Sequence, residues 1–143
     1  MKKRTIIQFI ALFFTALFLY SGISKLLEYP VFREELAMSP VLRPFEGILV
    51  WLLPLIELVT AIWLIFPRWR SRGLYTTLVL MISFTCYAVQ LSLYDSSLPC
   101  SCGGIIEQLS WKGHLIFNVS CIILALSGIL LIRSGRSIPV QTI

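Results

Sequence analysis

The chain has 143 residues, of which 57% are hydrophobic and 13% are charged, and its formal net charge is +5. A water-soluble domain of this size could not bury the apolar surface implied by a mean hydropathy of +0.87, so the soluble globular classes are excluded. The basic excess is explained by membrane orientation, as described below, and predicts no nucleic-acid partner.

Four apolar runs follow one another along the chain, and each is close to the ~20 residues that a helix needs to cross a bilayer. The runs are Ile6–Leu26, Phe45–Phe66, Leu74–Tyr94 and His114–Ile132. The segments between them are too short to form a soluble catalytic domain. We therefore predict an all-α fold, a four-helix transmembrane bundle that forms a single integral membrane domain over residues 1–143.

The distribution of charge predicts how this bundle is oriented in the lipid bilayer. Eight of the 12 basic residues lie near the termini and in the Pro67–Gly73 loop, where no acidic residue occurs: Lys2, Lys3, Arg4, Arg68, Arg70, Arg72, Arg133 and Arg136. Short basic segments stay on the cytoplasmic side of a membrane. We therefore predict that both termini are cytoplasmic and that the Leu27–Pro44 and Asp95–Gly113 loops face outward.

The first outward loop contains the signals of a short helix. Pro30 suits the first turn of a helix and Pro40 suits its end, which predicts a helix over Pro30–Met38. Phe32, Leu36 and Val31 would face lipid or the bundle. The segment is either an outer interfacial helix that shields the second outward loop or a plain connector.

Glu57 is an acidic residue about ten positions into the second run, which places its carboxylate ~15 Å deep. A charge at that depth is costly unless it is paired, protonated or hydrated, so we predict a role in proton handling or in locking the helices together. Pro54, one turn earlier, would free a backbone carbonyl and bend the helix. The natural partner of Glu57 is Lys25. Because Lys25 is predicted ~15 Å shallower, water, a bend at Pro54 or the Ser24 hydroxyl would have to bridge the gap.

The second outward loop carries two cysteines, Cys100 and Cys102, that are separated by one residue. A disulfide between them would close a small ring that departs from relaxed geometry, and such strain raises the reduction potential. The flanking proline and glycines suit an exposed turn that another protein can reach. The pair therefore predicts thiol–disulfide exchange, and the alternative is a structural disulfide or two unused thiols.

Three further residues could support this chemistry. Cys86 and Cys121 are predicted ~12 and ~10 Å deep, where they form a second cysteine pair or serve only as small buried side chains. His114, at the start of the fourth run, could stabilise a thiolate at Cys100 or Cys102 or accept its proton. It is the only histidine, and no second Cys/His pair stands at ligand spacing, so no metal site is predicted.

Three motifs, taken in order, resemble those of a known family. They are Tyr20–Leu26 (YSGISKL) in the first run, Leu53–Leu58 (LPLIEL) in the second, and Cys100–Gly104 (CSCGG) before the fourth. Over about Ile6–Ile132 the chain resembles the MauE branch of the DoxX-like membrane proteins. That family often has an aromatic residue after C-x-C, where this chain has Gly103.

The resemblance implies a multi-pass protein of the bacterial inner membrane that works with a thioredoxin-like periplasmic partner. It also implies support for the maturation of a disulfide-rich periplasmic enzyme in methylamine utilisation. The wider DoxX group includes subunits of quinone-reducing enzymes, so the resemblance implies quinone as a candidate cofactor. The interpretation favoured here is a periplasmic C-x-C redox protein. The alternatives are a non-enzymatic assembly or scaffold subunit with a structural disulfide, a quinone-linked subunit, and a small-solute carrier that uses Glu57.

Overall fold

The computed structural model describes residues 2–94 and 111–136, so that Cys100 and Cys102 lie outside the described residues. Within the described residues the chain forms five α-helices, one short 3₁₀ helix and no strand, which confirms the predicted all-α fold. The helices are α1 (Lys2–Leu27), α2 (Tyr29–Met38), α3 (Glu46–Ile65), α4 (Arg70–Tyr94) and α5 (Trp111–Arg136), and the 3₁₀ helix is Arg43–Phe45.

The outer faces of the long helices are apolar. Phe9, Leu12 and Val79, for example, are 67%, 65% and 62% exposed. The four helices α1, α3, α4 and α5 are each long and apolar enough to cross a membrane. Hydrocarbon solvates such faces without penalty, and a helix satisfies its own backbone hydrogen bonds there. The chain is therefore a multi-pass membrane protein.

The bundle contains two extensively packed helix pairs, α1 with α3 and α4 with α5. Their common core includes Phe14, Phe18, Leu64 and Leu74, each of which is at most 1% exposed. A glycine permits one close contact between α3 and α4, because a Cβ atom on Gly73 would lie only 2.9 Å from the Leu64 side chain. Dense packing of this kind fixes the relative positions of the helices that carry the polar residues described below.

The short helix α2 lies beside the beginning of α3. Pro30 stands in its first turn and the helix ends at Met38, so the segment predicted to be helical is helical. Phe32 and Leu36 are 4% and 3% exposed, and both pack with Val50 of α3. This face of α2 therefore points toward the bundle and covers the first turns of α3.

Candidate functional site

A buried ion pair joins α1 to α3. The Nζ atom of Lys25 lies 2.6 Å from the Oε1 atom of Glu57, and the two side chains are 3% and 0% exposed. The Ser21 hydroxyl accepts a hydrogen bond from Lys25 Nζ at 2.7 Å and donates one to Glu57 Oε1 at 3.2 Å. The three side chains form a closed ring of charge-assisted hydrogen bonds. This ring partly offsets the cost of burying the two charges.

Helical spacing and a glycine bring these groups together. Ser21 and Lys25 are four residues apart and therefore share one face of α1. Gly22 lies beside them, and a Cβ atom there would lie 3.2 Å from the Leu58 side chain and 3.3 Å from the Pro54 carbonyl oxygen. The absence of a side chain at Gly22 lets α1 approach α3 closely enough for the short ion pair to form.

Pro54 is buried inside α3, one turn before Glu57. Because proline has no backbone N–H, the carbonyl of Val50 lacks its usual donor within the helix. The helix nevertheless continues on both sides of the proline, over Glu46–Ile65. Pro54 therefore weakens the helical hydrogen bonding near the carboxylate without ending the helix.

The predicted difference in depth between Lys25 and Glu57 is wrong. That prediction assumed that the outer ends of α1 and α3 are level. In the structure, α3 begins eleven residues before Glu57, about 16 Å along its axis, whereas α1 ends two residues after Lys25. Because the two charges meet side by side, the first turns of α3 must extend beyond α1. The bridging hydroxyl is that of Ser21 rather than Ser24, since Ser24 is adjacent to Lys25 and points to another face.

Two phenylalanine rings flank the ammonium group of Lys25. Its Nζ atom lies 5.7 Å from the ring centroid of Phe32 on α2 and 5.2 Å from that of Phe84 on α4. The negative face of an aromatic ring attracts a cation, and this attraction is strongest where bulk water is excluded. The rings therefore stabilise the charged lysine and connect it to two more helices.

A small cavity of about 20 Å³ lies on the side of the ion pair away from α2. Its polar lining comes from Ser21, Glu57 and Asn118 of α5, and its other walls are apolar. Asn118 is 2% exposed, and its Nδ2 atom has no hydrogen-bond partner among the described residues. The cavity is large enough for one water molecule, which would give this amide an acceptor and connect α5 to the charged cluster.

A larger cavity of about 230 Å³ lies on the α2 side of the ion pair. Its polar groups belong to Lys25, Glu35, Ser83 and Tyr87. The other walls are formed by apolar side chains of α2, α3, α4 and the α2–α3 connection: Phe32, Leu36, Leu42, Leu49, Leu53 and Phe84. The arrangement suits an apolar ligand that carries a hydrogen-bond acceptor.

Glu35 also belongs to this region, although no sequence motif described above identified it as a candidate site residue. It is 8% exposed and lines the larger cavity. It lies three residues after Phe32 and one before Leu36, which places all three on the same face of α2. That helical spacing could have indicated that Glu35 is buried, because the two apolar residues mark the buried face of α2.

The remaining predicted residues of the described chain do not meet as one cluster. His114 lies in the first turn of α5 and is 2% exposed, and Cys121 is 2% exposed in the core. Cys86 is exposed on α4, and no disulfide joins it to Cys121. The second cysteine pair is therefore not assembled in this structure.

The segment with Cys100 and Cys102 lies outside the described residues, but both helices that flank it are described. α4 ends at Tyr94 and α5 begins at Trp111. Tyr87, near the end of α4, lines the same cavity as residues of α2, so α4 ends near α2. Within residues 2–94 and 111–136, no group of three or more His, Cys, Asp or Glu side chains is placed to hold a metal ion.

A family model, described as methylamine utilisation protein MauE, matches residues 3–131. The match therefore covers the charged cluster, both cavities and the C-x-C motif. No curated protein and no solved structure matches the chain.

Proposed function

Because the chain belongs to the MauE family of methylamine utilisation proteins, we propose that it is a membrane thiol–disulfide exchange protein whose reacting pair is Cys100 and Cys102. Family membership and four candidate spans support the broader role of a membrane protein associated with methylamine utilisation. One observation carries the redox step. It is the C-x-C motif itself, which in the sequence follows Tyr94, the last residue of α4, and precedes Trp111, the first residue of α5.

The proposed reaction transfers two electrons between a dithiol and a disulfide. A thiolate of one protein attacks a sulfur of the other's disulfide, so that an intermolecular S–S bond forms as the original bond breaks. The second thiolate of the attacking protein then breaks the mixed disulfide. One pair loses two electrons and two protons, and the other pair gains them. A periplasmic thioredoxin-like protein suits the role of partner, because its reactive cysteine has a low pKa.

The other polar residues have supporting roles in this proposal. His114, in the first turn of α5, is the chain's own candidate for accepting a proton or stabilising a thiolate of the pair. Lys25 and Glu57 are bonded to each other and almost fully buried, so they fix α1 against α3 rather than react. The thiol that reacts with Cys100 or Cys102 must come from another molecule. The chain's other two cysteines are unsuitable, because Cys121 is buried and Cys86 lies within a membrane-crossing helix.

A variant with one cysteine of the pair is expected to trap the mixed disulfide. Cys100→Ser and Cys102→Ser each remove one sulfur, and the variant that keeps the attacked sulfur lacks the thiol that resolves the intermediate. Non-reducing gels of membranes from the native host should show a shifted band that reductant removes. Mass spectrometry of that band should identify the partner.

Cys86→Ser provides a matched control for this experiment, because it makes the same atomic change within α4. It should leave the pattern of the wild-type protein unchanged. If neither Cys100→Ser nor Cys102→Ser yields an adduct, and the wild-type pair never changes redox state, the scaffold role with a structural disulfide replaces the exchange.

We also propose that the protein lies in the bacterial inner membrane with the α2 end in the periplasm and both termini in the cytoplasm. The charge distribution supports this orientation. At the end opposite α2, Lys3, Arg4, Arg68 and Arg70 line a single pocket, and basic segments of this kind stay in the cytoplasm.

Labelling with a membrane-impermeant maleimide is expected to confirm this orientation. In reduced whole cells that express the double variant Cys86→Ala/Cys121→Ala, the reagent should reach Cys100 and Cys102 without lysis. Only those two thiols then remain, so the gel shift reports on the loop alone. Labelling that requires lysis would reverse the proposed orientation.

The 230 Å³ cavity favours a second role, the binding of a quinone from the membrane. The residues fit such a group, since an apolar cavity of about 150 Å³ already accepts a benzene ring. Lys25 uses two of its three N–H donors within the described residues, and the third could donate to a carbonyl oxygen. Leu49 and Leu53, which line the cavity, would exclude water from the bound quinone. A quinone held there would supply a two-electron acceptor or donor for the exchange.

Filling the cavity should abolish this binding. We expect a short-chain quinone analogue to raise the melting temperature of the purified wild-type protein and to leave that of Leu49→Trp unchanged. Leu52→Trp is the matched control, because Leu52 is 42% exposed and does not line the cavity. Equal shifts in both variants would place the analogue elsewhere and contradict the second role.

A further inference from the structure

The bundle end opposite α2 carries a basic pocket that the proposed exchange does not use. Its volume is about 400 Å³. Lys3 and Arg4 reach it from the first turn of α1, Arg68 from the α3–α4 connection, and Arg70 from the first turn of α4. Residues far apart in the sequence therefore contribute four cations to one site.

Within the part of the chain that the structure describes, no carboxylate side chain neutralises these cations. The acidic residues of the chain are Glu28, Glu34, Glu35, Glu46, Glu57, Asp95 and Glu107, and none belongs to α1, α4, α5 or the α3–α4 connection. None of the four cations forms an ion pair within the described residues. Arg4 and Arg70 lie close enough to repel each other. The positive ends of the α1 and α4 dipoles add to the same field, so an anion in the pocket would relieve substantial repulsion.

The pocket combines these charges with an apolar wall. Arg70 Nε donates a hydrogen bond to the Leu64 carbonyl at 3.2 Å, and Lys3 Nζ donates one to the Ser134 hydroxyl at 3.4 Å, which positions two of the cations. The apolar wall comes from the ends of membrane-crossing helices: Ile7, Leu131 and Ile132. A site that is cationic on one side and apolar on the other matches the boundary between a lipid headgroup and its acyl chains.

We propose that this pocket binds the phosphate of an anionic phospholipid headgroup. Four cations match two phosphates better than one, so a lipid with two phosphates should bind more tightly than a lipid with one. The structure favours a lipid over free phosphate, because the apolar wall accepts acyl chains. The membrane also holds the headgroup at a high effective concentration next to the site. The proposal is independent of the thiol chemistry at the other end of the bundle.

Titration of the purified full-length protein in detergent, followed by native mass spectrometry, tests the choice of ligand. The probes are cardiolipin, phosphatidylglycerol, phosphatidylcholine and inorganic phosphate. We expect cardiolipin to bind most tightly, phosphatidylglycerol next, and phosphatidylcholine at least tenfold more weakly than cardiolipin. Equal retention of phosphatidylcholine and cardiolipin would overturn the proposal. So would displacement of cardiolipin by millimolar phosphate, which would identify the ligand as a soluble anion.

A pair of double variants with equal charge changes locates the binding. Arg4→Gln/Arg68→Gln should weaken cardiolipin binding by roughly 10- to 30-fold, because each cation near a membrane surface contributes about fivefold. Arg33→Gln/Arg43→Gln removes two cations at the opposite end and should change binding less than twofold. Equal losses in both double variants would show that net charge alone attracts the lipid and would overturn the assigned site.

Correct folding of the variants is checked by circular dichroism. If Arg4→Gln/Arg68→Gln does not fold, Lys3→Gln/Arg68→Gln tests the same pocket with the same expected loss. Wild-type affinity in both folded pocket variants would overturn the proposal.

Discussion

Replacing Lys25 with methionine is expected to lower the free energy of unfolding by about 3–5 kcal/mol, because it leaves the carboxylate of Glu57 buried without its counter-charge. Methionine keeps the length and most of the volume of the lysine side chain, so the change isolates the charge. Glu57→Gln should have a comparable effect, since it leaves the ammonium group of Lys25 between two helices without a carboxylate. Unfolding of the purified protein in mixed micelles with increasing sodium dodecyl sulfate measures the difference.

Two further variants make this prediction specific to the pair. Lys25→Met/Glu57→Leu removes both charges and should recover most of the lost stability, because no uncompensated charge remains. Lys112→Met deletes an exposed cation and should change stability by less than about 0.5 kcal/mol. Single variants no more destabilising than Lys112→Met would contradict a structural role for the pair. If the Glu57→Gln protein loses solute uptake while its cysteine thiols remain reactive, the result would instead favour the small-solute carrier.

Loss of either cysteine of the C-x-C pair is expected to reduce exchange to background, whereas loss of either helical cysteine should leave most of it. Cys100→Ser and Cys102→Ser each remove an atom that must form or break the S–S bond. Cys86→Ala changes an exposed side chain on α4, and Cys121→Ala removes only one buried sulfur atom. The redox state of the periplasmic partner, read by thiol alkylation and gel shift, measures the exchange.

The variants of the two helical cysteines distinguish exchange through the C-x-C pair alone from a relay that also uses the helical pair. Equal loss of exchange in all four variants would revive a relay through Cys86 and Cys121. That result would require α4 or α5 to rotate, because one thiol now lies on an exposed helix face and the other in the core. Normal yields of each variant in the membrane fraction would exclude misfolding as the cause.

The helices could be predicted from the sequence because the thickness of a bilayer sets the length of an apolar run. The short helix α2 could also be predicted, since Pro30 and Pro40 mark its two ends. Helix rotation could not be predicted in the same way. An apolar helix in a membrane has no polar face to mark its exposed side, so the sequence did not indicate that Cys86 faces outward and Cys121 inward.

The members of the charged cluster could be predicted, but their geometry could not. Lys25 and Glu57 stand out because a charge in an apolar run is costly. Their depths depend on how far α3 extends past α1, which tertiary packing at Gly22 and α2 determines. Ser21 has the same four-residue spacing to Lys25 that marks helical neighbours, and this signal was available in the sequence.

The contribution of α5 required the structure. Asn118 lies in an apolar run far from Glu57 in the sequence, yet both line the same small cavity. No local pattern specifies a contact between residues this distant, because it depends on the order in which the helices pack. The same reason explains why Phe84 could not be identified as a neighbour of Lys25 before the bundle was known.

The ion pair between α1 and α3 also has a consequence for biosynthesis. α1 emerges from the ribosome before α3, and a lone charge at the centre of a helix costs about 2.5–3.5 kcal/mol on insertion into the membrane. Lys25 lies near the end of α1, so its ammonium group can remain in the headgroup region until α3 has emerged from the ribosome. We therefore expect α1 and α3 to complete insertion as a hairpin, with α2 forming its turn. Neither charge then has to enter the hydrocarbon layer without the other.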